Sequence, residues 1–326
     1  MIKVGVLGFG VMGRNHARVL NSMDGVQFVG YFDEFYKGSD ESGIQRHRHL
    51  NSLLELDLDY CVISTPTIAH LKCVIECVDA GVNFLLEKPV ALSVKEANEI
   101  NRITKMSKVK SCVGHIERFN PAISQLKKRL RDGALGEIFT ITTNRQGPYP
   151  KRVGDVGVAL DLATHDIDLV RWILESEYAS IYAVTKNRLS ELHEDSILAV
   201  GISENNVGIN HNVNWISPNK IRTVEVLGAK GKFVADLLSA DLTFYENGEH
   251  IVAHDAIAHF SGVSVGDITR LSFDKKEPLL SEHIAFQKYL FGGKNEVVSI
   301  KDGTRNMLVS EAILKSAQIN QKVALF

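Results

Sequence analysis

The sequence predicts an α/β chain, with a doubly wound parallel sheet at the N-terminus and, after it, an α+β domain built on a large, mostly antiparallel sheet. Three observations predict it. Apolar runs rich in β-branched residues alternate with helical patterns as far as Gly114, and a G-x-G-x-x-G turn joins the first run to the first helix. Beyond residue 118 the pattern changes to extended runs that succeed one another with short turns. A chain of 326 residues is long enough for two domains, each with its own core. The change of pattern places them at 1–118 and 119–326.

Residues 2–7 are a short apolar strand, Gly8, Gly10 and Gly13 form the turn, and residues 12–20 continue at helical spacing. Gly8 permits the reversal, Gly10 lets backbone approach a pyrophosphate, and Gly13 lets the helix pack closely on its strand. The helix N-terminus, with Val11 and Met12 in its first turn, offers unpaired N–H groups and a positive dipole end to the phosphates. A second strand, 26–32, ends at Asp33, twenty residues beyond Gly13, where a carboxylate accepts from both ribose hydroxyls of an adenosine. The unit therefore reads as a dinucleotide site. Asp33 repels a 2′-phosphate and no arginine occurs in 34–37, so the expected cofactor is NAD and not NADP; Lys37 is the one nearby cation.

Residues 36–49 are polar, and the Arg-His-Arg-His run at 46–49 reads as solvated loop and helix surface. A third strand, 60–64, leads into Thr65-Pro66-Thr67, which presents backbone to the cofactor at the carboxyl end of the sheet, with His70 near that edge. A helix over 68–80 stops at Gly81. A fourth strand, 82–86, runs into Glu87-Lys88-Pro89. Lys88 sits just past a buried strand and its ammonium projects at the cofactor cleft, unless it is an ordinary solvated lysine paired with Glu87. A helix over 93–105 and a fifth strand over 109–114 complete the first domain.

In the second domain a helix over 121–131 precedes extended runs at 137–144, 179–186, 196–202, 207–215, 222–227, 232–236 and 242–245. One long helical pattern, 158–174, lies between the first two, and two more, 281–290 and 302–319, close the chain. Asp161 and His165 are four apart on the 158–174 pattern, so the carboxylate can orient the imidazole and stabilise its protonated form. A capping Asp and a surface His form the alternative. Arg145, Lys151 and Arg152 cluster just before this helix, with Gly154 and Gly157, a grouping suited to clamping a diphosphate.

The net charge of -2 and a pI near 6.6 give no electrostatic footprint for nucleic acid or an anionic membrane. The sequence has no basic n-region and no apolar run of membrane-spanning length, so a cytoplasmic protein is expected. Cys61, Cys73, Cys77 and Cys112 read as reduced core thiols, without the spacing of a redox or zinc pair. His250, His254 and His259 read as packing and loop, and no metal site is expected. His16 on the first helix has no motif to assign it a role.

The glycine fingerprint, Asp33, Thr65-Pro66, Glu87-Lys88-Pro89 and Asp161-Leu162-Ala163-Thr164-His165-Asp166 together resemble the glucose-fructose oxidoreductase, inositol dehydrogenase and rhizopine catabolism (GFO/IDH/MocA) family over nearly the whole chain. The resemblance implies an N-terminal Rossmann domain and a nicotinamide-dependent dehydrogenase of a small-molecule sugar alcohol. It places Glu87 at the cofactor, Lys88 and His165 facing the nicotinamide, and Asp161 beside them. It also implies a homodimer or homotetramer. The compact region after Asp33 departs from the family pattern. The strings 114–121, which include Arg118, and 152–157 resemble the UDP-N-acetylglucosamine 3-dehydrogenase branch, implying oxidation of such a nucleotide sugar at C3 with Arg118, Arg145, Lys151 and Arg152 on the substrate. A dehydrogenase of a free sugar or inositol, a dinucleotide-binding regulator without turnover, and a reductase of a linear tetrapyrrole or imine are the alternatives.

Overall fold

A computed structural model describes residues 1–35, 43–150, 156–248 and 265–325. Packing divides the chain into two units, residues 1–116 with 277–311, and residues 117–276 with 312–326.

The first unit holds a parallel sheet of β1 (Ile2–Leu7), β2 (Val26–Phe32), β3 (Arg46–His47), β4 (Tyr60–Ile63), β5 (Asn83–Glu87) and β6 (Ser111–Gly114), in the order β3-β2-β1-β4-β5-β6. This is the doubly wound order that reverses direction between β1 and β4. Val4, Val6 and Leu7 of β1 are fully buried, as are Cys61, Val62 and Ile63 of β4, because helices cover both faces of a parallel sheet. Helix α1 (Val11–Ser22) packs on β1, β2 and β4 through a core face of Gly13, His16, Ala17, Val19 and Leu20. Next come α2 (Leu50–Leu54), α3 (His70–Asp79) and α4 (Val94–Met106), the last capped by the Ser93 hydroxyl accepting from Glu96 N. The 46–49 run differs from its expected solvated surface, since Arg46 and His47 pair in parallel with Tyr31 and Phe32 as the edge strand. Two residues are too few for a period-2 pattern to register.

The second unit begins with α5 (Pro121–Arg131) and carries a nine-stranded sheet. Its strands are β7 (Ile138–Gln146), β8 (Tyr178–Lys186), β9 (Ser196–Ser203), β10 (Gly208–Asn214), β11 (Ile221–Gly228), β12 (Gly231–Asp236), β13 (Asp241–Asn247), β14 (Val265–Leu271) and β15 (Val323–Ala324). Pairing is antiparallel except between β7 and β10. Residues alternate over 197–200 of β9, with Ile197 and Ala199 buried and Leu198 and Val200 exposed, so one face of the sheet packs inward. α5 packs on β12 and β13, and α6 (Thr164–Leu174) on β7. Strands β14 and β15 have no counterpart among the expected runs.

Two further helices, α7 (Pro278–Leu290) and α8 (Ile300–Ile319), follow β14. α7 returns to the first unit, where Phe286 packs edge-on against Tyr60 of β4. The packing units thus differ from a division at 118 into two contiguous pieces, because residues 277–311 cluster with the parallel sheet. The four cysteines are free and buried. Among the described residues no helix is long and apolar enough to cross a membrane, and no three His, Cys, Asp or Glu side chains group to hold a metal ion.

Candidate active site

In the first unit the site residues gather at the carboxyl ends of the strands. Gly8 closes β1 with φ +87°, and a Cβ there would lie 2.5 Å from the amide nitrogen of Thr65. At Gly13 a Cβ would meet the Gly8 carbonyl oxygen at 2.0 Å, so helix and turn approach as only glycine allows. Gly10 has nothing within 4 Å of that position and is exposed, as is Val11; Met12 is half-buried. α1 begins at Gly10 with no side-chain cap, leaving its first N–H groups to a ligand. The cradle fits a pyrophosphate.

Asp33 is fixed by backbone. Its Oδ2 accepts from Phe9 N at 2.6 Å and its Oδ1 from Phe35 N at 2.8 Å. A cavity of about 530 Å³ opens beside it, lined also by Arg46, Arg48, His49, Lys72 and Glu76. Arg46 reaches Asp33 directly, donating to its carbonyl oxygen at 3.1 Å. The absence of arginine from 34–37 therefore does not extend to the space around Asp33, where Arg46 of β3 and Arg48 just after it both line the cavity.

The Ser64 hydroxyl donates to the Gly8 carbonyl at 2.8 Å, tying the end of β4 to the glycine turn just before Thr65 and Pro66. His70, expected near the cofactor, is buried, with Nδ1 3.0 Å from the Pro89 carbonyl and Nε2 3.1 Å from that of Thr65. Burial lowers its pKa despite those carbonyls, and the ring braces the two segments that flank it. Glu87 is buried and Lys88 half-buried at the end of β5, where Glu87 Oε2 accepts from Lys88 N at 3.1 Å. The Lys88–Pro89 peptide is cis.

In the second unit the 158–174 pattern is not one α-helix. Residues Ala159–Ala163 form a π turn and α6 begins at Thr164, so the four-residue step from Asp161 to His165 crosses the junction of the two. Such turns recur at functional sites. Glu194 receives the chain as it enters, its carbonyl accepting from Val158 N and its Oε1 from Ala159 N. A Cβ at Gly157 would lie 2.0 Å from that carboxylate. Asp161 is half-buried and His165 is 8% exposed.

The arginines have other partners than a diphosphate. Arg145 is 1% exposed, and donates from Nε to Asp166 Oδ1 and from Nη1 to Glu117 Oε1, each at 2.7 Å. Burial works against its charge, yet Asp166 and Glu117 outweigh burial and raise its pKa. Burial in turn holds Asp166 above the ordinary carboxylate range even with Arg145 beside it. Arg118 makes a two-pronged bond to Asp168, 2.7 Å on each arm. Sequence spacing cannot show this, because a cation before a helix has the same pattern whether it faces solvent or an aspartate of that helix. Lys151 and Arg152, with Gly154, lie outside the described residues, as do His250, His254 and His259.

A glycine cradle, an acidic β2 terminus and a lysine at the end of β5, on a sheet of this order, define a dinucleotide-binding oxidoreductase. Residues 2–115 match the model described as "Oxidoreductase family, NAD-binding Rossmann fold" and residues 123–234 the GFO/IDH/MocA C-terminal domain. The chain belongs to the GFO/IDH/MocA family, and its first unit carries that family's NAD-binding domain. It is similar to UDP-N-acetylglucosamine 3-dehydrogenase of Acidithiobacillus ferrooxidans, 31% identical over 186 residues that cover 56% of this chain and 58% of that one. It is also similar to scyllo-inositol 2-dehydrogenase (NAD(+)) of Bacillus subtilis, 27% identical, with 99% and 96% covered. A solved structure of the Acidithiobacillus enzyme superposes with a TM-score of 0.84 at 23% identity, covering 98% of each chain, a likeness that speaks for the fold.

Proposed function

We propose that this protein is an NAD-dependent dehydrogenase that oxidises a secondary alcohol of a sugar or inositol. The observation that carries the reading is the convergence of the glycine cradle, Asp33 and Lys88 at the carboxyl edge of the parallel sheet. When bound, NAD supplies the ring that accepts hydride from the carbinol carbon. Lys88 donates a hydrogen bond to the reacting oxygen, His165 takes its proton, and Asp161 orients the imidazole. Acid–base catalysis by positioned groups is typically worth about a hundred to ten thousand fold. Presence of Lys88, Asp161 and His165 together argues against a regulator without turnover.

The finer reading is oxidation of UDP-N-acetylglucosamine at C3, supported by the similarity to the Acidithiobacillus enzyme. Lys151 and Arg152 are its remaining diphosphate ligands, since Arg118 and Arg145 are held by aspartates and Glu117. That internal pairing favours a second reading, a free sugar or inositol, which the similarity over 99% of the chain to the Bacillus inositol enzyme also supports. NADH formation from UDP-N-acetylglucosamine, N-acetylglucosamine, glucose, myo-inositol and scyllo-inositol decides between them. Turnover of the nucleotide sugar alone, with KM raised in Arg152→Ala, supports the first; turnover of an inositol without response to the nucleotide sugar supports the second. No NADH from any of these would remove both substrate assignments. We further propose a cytoplasmic, even-numbered homo-oligomer.

A further inference from the structure

Within the second unit, the turn that leads into α6 and carries Asp161 is capped from elsewhere in the chain. A helix start leaves its first N–H groups without intrahelical partners, and a Ser, Thr, Asp or Asn just before it ordinarily takes one of them. Val158 stands at that position and has no side-chain acceptor to offer. Glu194, on the connection between β8 and β9, serves instead. Its carbonyl accepts from Val158 N at 3.0 Å and its Oε1 from Ala159 N at 2.9 Å. Val158 and Ala159 are fully buried, so water is not at hand to replace that carboxylate.

Both sides of this contact are shaped for it. At Gly157 a Cβ would lie 2.0 Å from Glu194 Oε1 and 2.2 Å from its carboxyl carbon, so any larger residue would take the seat of the carboxylate. The Gly157 carbonyl in turn accepts from Asp161 N at 3.1 Å, which joins the seat to the backbone of Asp161. At the far end of the turn the Thr164 hydroxyl donates to the Leu160 carbonyl at 2.9 Å. The loop that presents Glu194 is tied down by the next residue. Asp195 is fully buried, and its Oδ2 accepts from the N–H groups of Arg188, Leu189 and Ser190 at 2.7, 2.5 and 3.1 Å. Its own N–H donates to the Lys186 carbonyl of β8, and its carbonyl accepts from Trp215 N just beyond β10. Burial works against the Asp195 charge, yet those N–H groups hold its pKa below the ordinary carboxylate range. Glu194 thus reaches the turn from a loop fastened to the sheet.

We propose that Glu194 is a positioning residue: seated against Gly157, its carboxylate sets where the π turn begins, and so where Asp161 and His165 stand. The consequence for turnover rests on the roles proposed above for those two residues. A helical segment that starts one residue earlier or later turns every following side chain by about 100°. A misplacement of about 1 Å is already enough to cost on the order of a hundredfold in rate.

Nuclear magnetic resonance of the full chain with isotope-labelled histidine reads the His165 ring without any substrate, its signals identified by their loss in His165→Gln. Glu194→Ala is expected to shift them, while those of His211, buried in the same unit between Tyr178 and Thr143, stay in place. Glu194→Gln, which keeps the Oε1 acceptor, is expected to leave both unmoved. With scyllo-inositol or UDP-N-acetylglucosamine, whichever yields NADH, Glu194→Ala is expected to lower kcat by about ten to a hundred fold with KM little changed, and Glu194→Gln to retain turnover. Unmoved His165 signals in folded Glu194→Ala overturn the proposal; if that variant does not fold, unmoved signals in Glu194→Asp, which keeps the charge but not the reach, do so. A Glu194→Gln variant as impaired as Glu194→Ala also overturns it, as does a raised KM at unchanged kcat, which would put Glu194 on the substrate itself. Failure of the catalytic reading is separate: His165→Ala would keep its turnover while the His165 signals of Glu194→Ala still shift.

Discussion

Asp33 spends both carboxylate oxygens on backbone N–H groups and still borders the cavity that Arg46, Arg48 and Lys72 line. Its charge, roughly 1 to 4 kcal/mol against another unit charge at about 4 Å depending on solvent exposure, is what stands against a 2′-phosphate among those cations. Asp33→Ser is therefore expected to tighten NADP binding by roughly tenfold or more by calorimetry while NAD weakens; tighter NADP than NAD binding by the unaltered protein would refute the role. Lys88→Ala and His165→Ala are each expected to lose turnover by about a hundred to ten thousand fold with NAD affinity retained. The losses should fall well short of adding in the double variant. Near-normal turnover in either takes that residue out of the chemistry. Gly8 and Gly13 were legible in sequence because part of their reason is local, the positive φ of Gly8 in the turn and the close approach of Gly13 to the Gly8 carbonyl. Arg46 and Arg145 were not, since strand pairing with Tyr31, fifteen residues earlier, and an aspartate twenty-one residues on decide what those guanidinium groups face.

At the scale of elements, α6 is clamped at both ends. Arg145 and Arg118 bind Asp166 and Asp168 near its start, and Lys127 of α5 donates to the Trp172 and Ile173 carbonyls at its end, at 2.6 and 3.1 Å. Breaking a buried pair by removing one partner typically costs about 3 to 5 kcal/mol, so Arg145→Leu should lower the urea midpoint by that much stability, and Arg145→Leu with Asp166→Leu by less than the sum. Additive losses would mean that the two side chains are not coupled. The C-terminal clamp is read by pH. Hydrogen bonds from Lys127 and then Arg131 hold Glu175 at about 2, below its ordinary 4.5. Its folded pKa is depressed, so its contribution is complete above about pH 4.5 and is lost as pH falls toward 2. The thermal midpoint should decline through that window, and less steeply in Glu175→Gln; equal slopes would exclude the clamp. Helical periodicity announced α6 itself, but an i to i+5 turn at Ala159–Ala163 has no signature in a 3.6-residue period. Strand β14 escaped notice as well, with Gly266 and Asp267 interrupting its apolar run.

At the scale of the whole molecule, sequence pattern locates where α/β alternation stops, but not where the chain returns. The apolar face of α7 shows that it packs, and only the partners of His283 and Phe286 show that it packs on β4 and α1. The outward face of the nine-stranded sheet bears on assembly. Leu198 and Val200 of β9 are 57% and 54% exposed, and Val184 of β8, directly across from Leu198, is 41% exposed. Apolar residues neighbouring on a sheet face are suited to association, and two copies meeting there about a two-fold axis would bury the same patch on each. The unaltered protein is thus expected to sediment as a dimer or tetramer across micromolar concentrations. Leu198→Lys with Val200→Lys, which leaves the buried Ile197 and Ala199 untouched, is expected to halve the assembly while circular dichroism is unchanged. An unaltered chain that sediments as a monomer, or a double variant that keeps the full assembly, would rule out this face as the interface.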